Sequence, residues 1–575
     1  MGAFFYISRQ TGPVFEDLLE KGREQFALGG FRARTTFETR TSVIDYYPKI
    51  DNPVDNHVVF PNDDFIFSVG TFFYNRRTGK AALREFFAVD DSEAALAAAH
   101  GHFVLVLRKN NRTLLLTDVL GSYQVYYTQN CACVTTSFLA AAAVSGACTV
   151  STHETYEYVF NGVTLGNATP FQEILRLDLL EYMQLDPQAR LLAGTPIVIP
   201  PEKSTPFPEL VRYNLQTLST LTETIRDVFG GAIKLALSGG YDSRLLLALF
   251  RHAGVAPHLF VYGNAASADV RTAKHIATAE GLVFDHIDKA HLRRAEPEQY
   301  ASVVESNFYS EDGLQPQGIF DTGVEEMARR WRSENGALHV SGGGGEIYRN
   351  FFYLFDRPMT LDAFVKVFYS GFHPAQCSPL FSPREYRAGI EAKIRRLVRG
   401  NGKSIPRRSI ESIYPFFRCR SWFGRDVSIN NRWGYSVVPF MDHEIVVEAL
   451  RIPIRYKHFG DFESALIRAA DAALAGYPSN YGHAFSRAAP WWAAANWRVQ
   501  YARPPWLRSY AFRVKSRLQG RDRLPAPLSP ACLKPIIGSG FPYMSRFFDV
   551  GKITSAVHFA RICNLEYLYQ RLSAR

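Results

Sequence analysis

A chain of 575 residues with 65 Lys+Arg against 55 Asp+Glu, a formal net charge of +10, exceeds what one hydrophobic core usually organises, so two domains are expected. At 47% hydrophobic and 21% charged residues the composition excludes extended disorder, and seven scattered cysteines exclude both a disulfide framework and a cysteine zinc site. No apolar run approaches the roughly 20 residues that a bilayer requires, so a soluble, cytoplasmic protein is expected; the basic excess suits a nucleotide or a nucleic acid and does not choose between them.

Up to about residue 195 the pattern is one of strands: Phe65–Gly70, His102–Arg108, Arg112–Asp118 and Gln124–Thr128, with Asn110-Asn111 as a turn. Alternation places Cys131 and Cys133 on one strand face and predicts ordinary packing for both. The proline-rich stretch from Pro196 to Pro208 cannot continue a helix or a central strand, which divides the chain into a front domain, 1–200, and a second domain, 209–575. Beyond it helices alternate with apolar runs: a helix over 214–228, a strand at 232–237, a helix from Ser243 to His252, a strand at 258–262, and a helix from Asp269 to Glu280 capped by Asp269. That alternation predicts a doubly wound parallel sheet whose ligand lies at the strands' carboxyl ends. The remainder is expected to be a helical extension. Within it Arg498, Arg503, Arg508, Arg513, Lys515, Arg517, Arg521 and Arg523 are interleaved with Trp497, Trp506 and Tyr510, as on a solvated, membrane-adjacent or partner-binding surface.

The chemistry centres on Leu237-Ser238-Gly239-Gly240-Tyr241-Asp242-Ser243, at the point where an apolar strand gives way to an apolar helix. Gly239 and Gly240 allow a sharp turn and close approach of a ligand, while the Ser238 and Ser243 hydroxyls join the free amides of the helix N-terminus in an oxyanion cradle. Asp242 would repel a bare phosphate, which implies a divalent cation such as Mg²⁺ chelated by pyrophosphate. The Gly-x-x-x-x-Gly-Lys-Ser/Thr pattern of a Walker loop is missing.

This turn resembles the Ser-Gly-Gly-x-Asp-Ser pyrophosphate loop of ATP pyrophosphatases, and the wider arrangement is similar to the asparagine synthetase family. Leu259-Phe-Val-Tyr-Gly263, followed by Asp269-x-x-x-Ala273, resembles that family's second strand and helix, which implies that Val261, Tyr262 and Gly263 line an adenine. Val340-Ser341-Gly342-Gly343-Gly344-Gly345-Glu346 is similar to its Ser-Gly-x-Gly-x-Asp-Glu loop; this implies nucleotide contacts from Ser341, Gly342 and Gly343, and a second Mg²⁺ ligand in Glu346 beside Asp242. Pro439-Phe-Met-Asp442-His443 resembles a segment read as architectural, with Asp442 as the side chain able to position substrate. In front, Gly101-His102-Phe-Val through Asp118-Val-Leu-Gly121, then Thr136-Ser137-Phe138-Leu139, is similar to the glutaminase domain of the same enzymes. The implied fold is α/β overall. It comprises an Ntn-hydrolase-like β-rich sandwich (α+β), then a PP-loop domain of the adenine-nucleotide α-hydrolase type with a helical C-terminal extension.

Three positions depart from asparagine synthetases. Their glutaminase uses an N-terminal nucleophile whose free amine is its own base, whereas residue 2 here is Gly2, which predicts a front domain that cannot hydrolyse glutamine and is kept for support or substrate binding. Gly343 stands where the glutamine-dependent enzymes carry an acid, which predicts a roomier pocket. The 477–483 loop lacks the family's lysine and leaves His483, or Arg487, to stabilise a transition state beside Asp242 and Glu346. A degenerate glutaminase half joined to an adenylating half is similar to β-lactam synthetases and lasso-peptide cyclases. It implies an ATP- and Mg²⁺-dependent ligase acting on a substrate with a carboxylate and an amine. A precursor peptide is one candidate, nucleic acid is not expected, and a partner protein or homodimer is left open. The alternatives are an asparagine synthetase using free ammonia and a non-catalytic nucleotide-binding relative.

Overall fold

The structure, a computed structural model, describes residues 2–194, 201–289, 299–398, 402–504, 507, 508, 510, 514 and 523–574. Residues 195–200, which include the first part of the proline-rich stretch, and Trp506, Arg513, Lys515, Arg517 and Arg521 of the basic segment, lie outside the described residues.

The front half contains β1 (Ala3–Ser8), β2 (Thr35–Glu38), β3 (Ser42–Tyr47), β4 (His57–Val59), β5 (Phe65–Phe73), β6 (His100–Lys109), β7 (Arg112–Thr117), β8 (Tyr126–Thr128), β9 (Cys133–Thr135), β10 (Ile174–Arg176), β11 (Glu181–Asp186) and β12 (Arg190–Ala193). They form two antiparallel six-stranded sheets, ordered β10-β8-β9-β1-β3-β2 and β12-β11-β7-β6-β5-β4. Period-two alternation builds the layers. Phe4 and Tyr6 of β1 meet Phe67, Val69 and Val104 of the other sheet in the central core. The intervening Ala3, Phe5 and Ile7 turn outward onto Phe15, Leu19 and Phe26 of the Phe15–Leu28 helix. Ile66, Phe72, Phe103 and Leu105 turn outward onto Leu83 and Phe86 of the Gly79–Ala88 helix. The result is a four-layer stack of helix, sheet, sheet and helix. Cys133 packs in β9 as expected, but Cys131 sits in the preceding turn at φ 54°, so the two do not share a strand face.

In the second half β13 (Ile233–Ala236), β14 (His258–Tyr262), β15 (Phe284–Ile287), β16 (Leu338–Val340) and β19 (Tyr435–Val437) form a sheet in which every neighbouring pair is parallel, ordered β15-β14-β13-β16-β19. A small antiparallel pair, β17 (Met359–Thr360) and β18 (Ser404–Ile405), lies apart from it. The strand order reverses between β13 and β16, which places a crevice beyond their carboxyl ends. The helix before β13 runs from Phe207 to Phe229 and so starts earlier than Asn214, because Pro208 fits its first turn, where no amide hydrogen is needed. The helix Ala268–Ala279 is capped by Ser267, not Asp269, which leaves the Asp269 carboxylate free for another task.

One continuous apolar core runs from β1 and β5 through the parallel sheet to the Ala556–Arg571 helix. Polar contacts fix the two halves to each other. Buried Lys49 donates to the carbonyls of Asn431 (2.9 Å) and Gly434 (2.6 Å), Thr71 Oγ1 donates to Asn431 Oδ1 at 2.8 Å, and His102 Nε2 lies 3.0 Å from the Val438 amide.

Candidate active site

The turn expected to hold pyrophosphate lies at the reversal point. Leu237 is buried and its amide donates to Phe260 O, which carries the chain off β13 beside β14. The Ser243 hydroxyl accepts from the Ser238 amide at 2.9 Å and lies 3.0 Å from Ser238 Oγ, and Gly240 N donates to Ser238 Oγ at 3.3 Å. From Gly240 the chain enters the helix Tyr241–His252, whose Leu245, Leu246, Leu247 and Phe250 are all buried. Asp242 falls in its first turn. The Ser341–Glu346 loop follows β16 directly alongside: a Cβ on Gly342 would stand 3.1 Å from the Ser243 amide, and one on Gly345 would meet Asp242 Oδ1 at 2.4 Å. Ser341 Oγ accepts from the Gly343 amide at 3.3 Å and braces this second loop.

Asp242 and Glu346 converge on one cation. Arg349 Nη2 donates to Asp242 Oδ1 at 2.8 Å and Oδ2 at 2.9 Å and lies 3.7 Å from Glu346 Oε1, while its Nε is 3.0 Å from Glu463 Oε2. Glu346 also accepts from Tyr414 OH. Glu463 is fully buried, and neither of its oxygens has a well-directed hydrogen-bond partner. Three carboxylates thus share one guanidinium. Burial, and after it the nearby Glu346, push the Asp242 carboxyl up against the pull of Arg349. Burial and then the Asp242 charge push Glu463 well above the usual carboxylate range. For Arg349, burial opposes the charge, but Asp242, Glu463 and Glu346 outweigh it and hold the guanidinium firmly protonated. Sequence reasoning missed Arg349 and Glu463. Glu463 did leave a signal, an acid in the apolar stripe that Leu466 and Ile467 continue on the helix Asp461–Ala470; Arg349 left none.

The 477–483 loop covers the turn. Asn480 N donates to Gly239 O at 3.1 Å, and Asp269 accepts from both the Gly239 amide and Asn480 Nδ2 at 2.9 Å. Fully buried Arg244 donates to Tyr477 O and Pro478 O, each at 2.7 Å, and lies over the Phe485 ring. Tyr481 is the loop side chain that reaches the cluster, where its hydroxyl accepts from Arg349 Nη1 at 3.2 Å. His483 is not brought to the carboxylates. Its Nδ1 sits 3.0 Å from Ala484 O and its ring packs on Phe485 and Trp492.

Val261, Tyr262 and Gly263 end β14 one strand away, with Val261 buried and Gly263 O accepting from His286 Nε2 at 2.7 Å. Lys289 lies over the Tyr262 ring, whose hydroxyl is buried without a partner. Gly343 does not open a larger pocket. A Cβ there would meet the Phe423 ring at 2.4 Å, because the helix Arg420–Trp433 fills the space with that ring. Asp442 is not a substrate residue either: it caps the His443–Leu450 helix through Glu444 N and accepts from His100 Nδ1 (3.1 Å) and Gly101 N (3.3 Å) of the front half. At the front end Gly2 is buried, its amide donates to Tyr47 O, and a Cβ there would stand 2.6 Å from Pro48 O and 2.7 Å from the Phe31 ring. Residue 2 has no room for a nucleophilic side chain.

No family model and no curated protein matches the chain. Among solved structures it is similar to the glutamine phosphoribosylpyrophosphate (PRPP) amidotransferase from B. subtilis complexed with ADP and GMP, with a TM-score of 0.23 and 9% identity over 50% of this chain. The match spans 65% of that structure's chain.

Proposed function

We propose that this chain is an ATP-dependent amide synthetase: it activates a substrate carboxylate as an acyl-adenylate, releases pyrophosphate, and lets a substrate amine displace AMP without hydrolysing glutamine. The observation that carries this reading is the meeting of the Ser238–Ser243 turn and the Ser341–Glu346 loop at the reversal of a parallel sheet, with Asp242 and Glu346 facing one point. The donor set fits a hard divalent cation, since three carboxylates, Asp242, Glu346 and Glu463, gather around the single Arg349 guanidinium. Mg²⁺ held by Asp242 and Glu346 would supply charge neutralisation for the departing pyrophosphate. Arg349, at the same cluster, would offer its planar donors to phosphate oxygens. The Ser238 and Ser243 hydroxyls and the Gly240 amide are the remaining donors, and Val261 to Gly263, at the end of the neighbouring strand, would line the adenine. The Phe423 ring over Gly343 supplies an apolar wall, and the chain's remaining task is to align the amine with the activated carbonyl. The substrate we favour is a carboxylate- and amine-bearing molecule such as a precursor peptide.

The test is release of AMP and pyrophosphate from ATP, Mg²⁺ and candidate substrates. Asp242→Asn should lower it at least 100-fold while leaving the circular dichroism unchanged. Equal release from wild type and variant would refute the reading. A second reading, nucleotide binding without turnover, is favoured by the two-pronged Arg349 contact on Asp242, through which the protein carries its own cation. Under it, calorimetry shows ATP binding indifferent to Mg²⁺ and no AMP appears.

A further inference from the structure

The segment 472–521 has a composition unlike the rest of the chain, with eight Lys/Arg and no Asp or Glu. Within it the helix Trp491–Ala502 buries Ala493 and Tyr501 on one face. Its other face presents Trp491, 82% exposed, with Trp492 and Val499, and Leu507 and Tyr510 are exposed just beyond it. An isolated exposed apolar residue needs no explanation, but a cluster of this kind rimmed by arginines marks a contact surface. Where the helix ends, a pocket of about 440 Å³ opens between it and the 354–363 segment. Its walls are Phe355, Met359 and Tyr501 together with three arginines, Arg357, Arg503 and Arg508.

No carboxylate lines this pocket, and none of the three guanidinium groups has an acidic partner among the described residues. Arg508 spends donors on the carbonyls of Phe352, Tyr353 and Gln500, and burial followed by the neighbouring Arg503 disfavours its charge. The pocket therefore lacks an anion, and its apolar walls ask for a ligand that carries hydrocarbon next to that anion. A free nucleotide or a nucleic-acid backbone satisfies the arginines and leaves Phe355, Met359, Val499 and Leu507 in water; a phospholipid satisfies both. Trp and Tyr beside Arg is also the side-chain mixture that settles at the headgroup level of a membrane. Among the described residues no helix is long and apolar enough to cross a bilayer, so the contact is one of lying on the surface.

We propose that this face docks on an anionic lipid bilayer, with Trp491, Trp492 and Val499 entering the interface and a lipid phosphate seated among Arg357, Arg503 and Arg508. The docked helix adjoins the cover of the candidate active site, because the Trp492 ring packs on His483 and a Cβ on Gly482 would lie 3.3 Å from it. The experiment is sedimentation of the full chain with vesicles of phosphatidylcholine alone and with phosphatidylglycerol added, combined with tryptophan emission. Binding and a blue shift are expected only with phosphatidylglycerol, and both should weaken as salt is raised. Neutralising Arg357 and Arg503 to Gln should cost roughly fivefold in partitioning for each arginine. Trp491→Ala and Val499→Glu, both at exposed positions that leave the fold intact by circular dichroism, should each reduce binding. Absence of binding, equal binding to phosphatidylcholine, or tighter binding to an RNA homopolymer than to the anionic vesicles would overturn the proposal.

Discussion

At Gly343 a ring from the opposite side occupies the space a side chain would need. A Cβ there would meet the Phe423 ring at 2.4 Å, so a larger residue cannot be introduced alone. Gly343→Asp should lower stability by about 1–3 kcal/mol through overpacking, measured as a shift in the urea midpoint, and Gly343→Asp with Phe423→Ala should recover most of it. Recovery failing in the double variant would mean that something other than the ring sets the limit. At this scale the sequence was informative where a glycine- and serine-rich turn joins a strand to a helix. The structure brings Asp242 of the first such turn and Glu346 of the second onto the same guanidinium. Arg349 and Glu463 were not legible, because their meaning lies in each other's company: an arginine 107 positions from Asp242 reaches it only in the fold, and Glu463 joins them there through Arg349 Nε. His483 was misplaced for the same reason, since a loop's composition does not say which of its side chains turns inward.

Among the elements, β6 and the His443–Leu450 helix meet through His100 and Asp442, at 3.1 Å. Burial works against both charges, yet Asp442 raises His100 from 6.5 to about 9, and His100 in turn holds Asp442 well below the usual carboxylate range. The folded chain thus favours charged His100. Its contribution is complete below pH 6.5 and is lost as pH rises through about 9, on the order of 3 kcal/mol in all. Asp442 has the opposite dependence, complete above its ordinary 3.8 and lost only in acid. Unfolding midpoints should therefore fall between pH 6.5 and 9 in the wild type and change less in His100→Gln, and equal slopes would deny the pair this role. The strands and helices read from period and punctuation in the second half formed with errors at their ends, as with the helix that starts at Phe207 and the cap supplied by Ser267, where one proline or one hydroxyl outweighs the apolar pattern. In the front half whole elements went unread, among them the helices Phe15–Leu28 and Gly79–Ala88 that cover the two sheets.

For the whole molecule, the change from strand-rich to alternating pattern near the prolines was visible in the sequence, whereas the extent to which the halves share one core was not. Lys49, Thr71 and His102 are unremarkable residues whose partners, Asn431, Gly434 and Val438, lie more than 300 positions later. Such a joint predicts one cooperative unfolding transition. All seven tryptophans fall at residue 331 or later, and two of them lie on the joint, where Trp422 Nε1 donates to Asn161 O and Trp433 O accepts from Asp51 N, so their emission follows the second half and the joint while far-ultraviolet circular dichroism follows both halves. The two signals should coincide in a urea titration, and a dichroism change that precedes or trails the emission change would show that the halves come apart.

Arg244 has a bearing on how molecules reach the crevice. It grips the backbone at Tyr477 and Pro478 from inside the helix that starts at the turn, so lifting the roof from that side strands a dehydrated cation, at a cost of several kcal/mol. The roof is thus pinned along one edge, while its far end at Gly482 rests against the Trp492 ring.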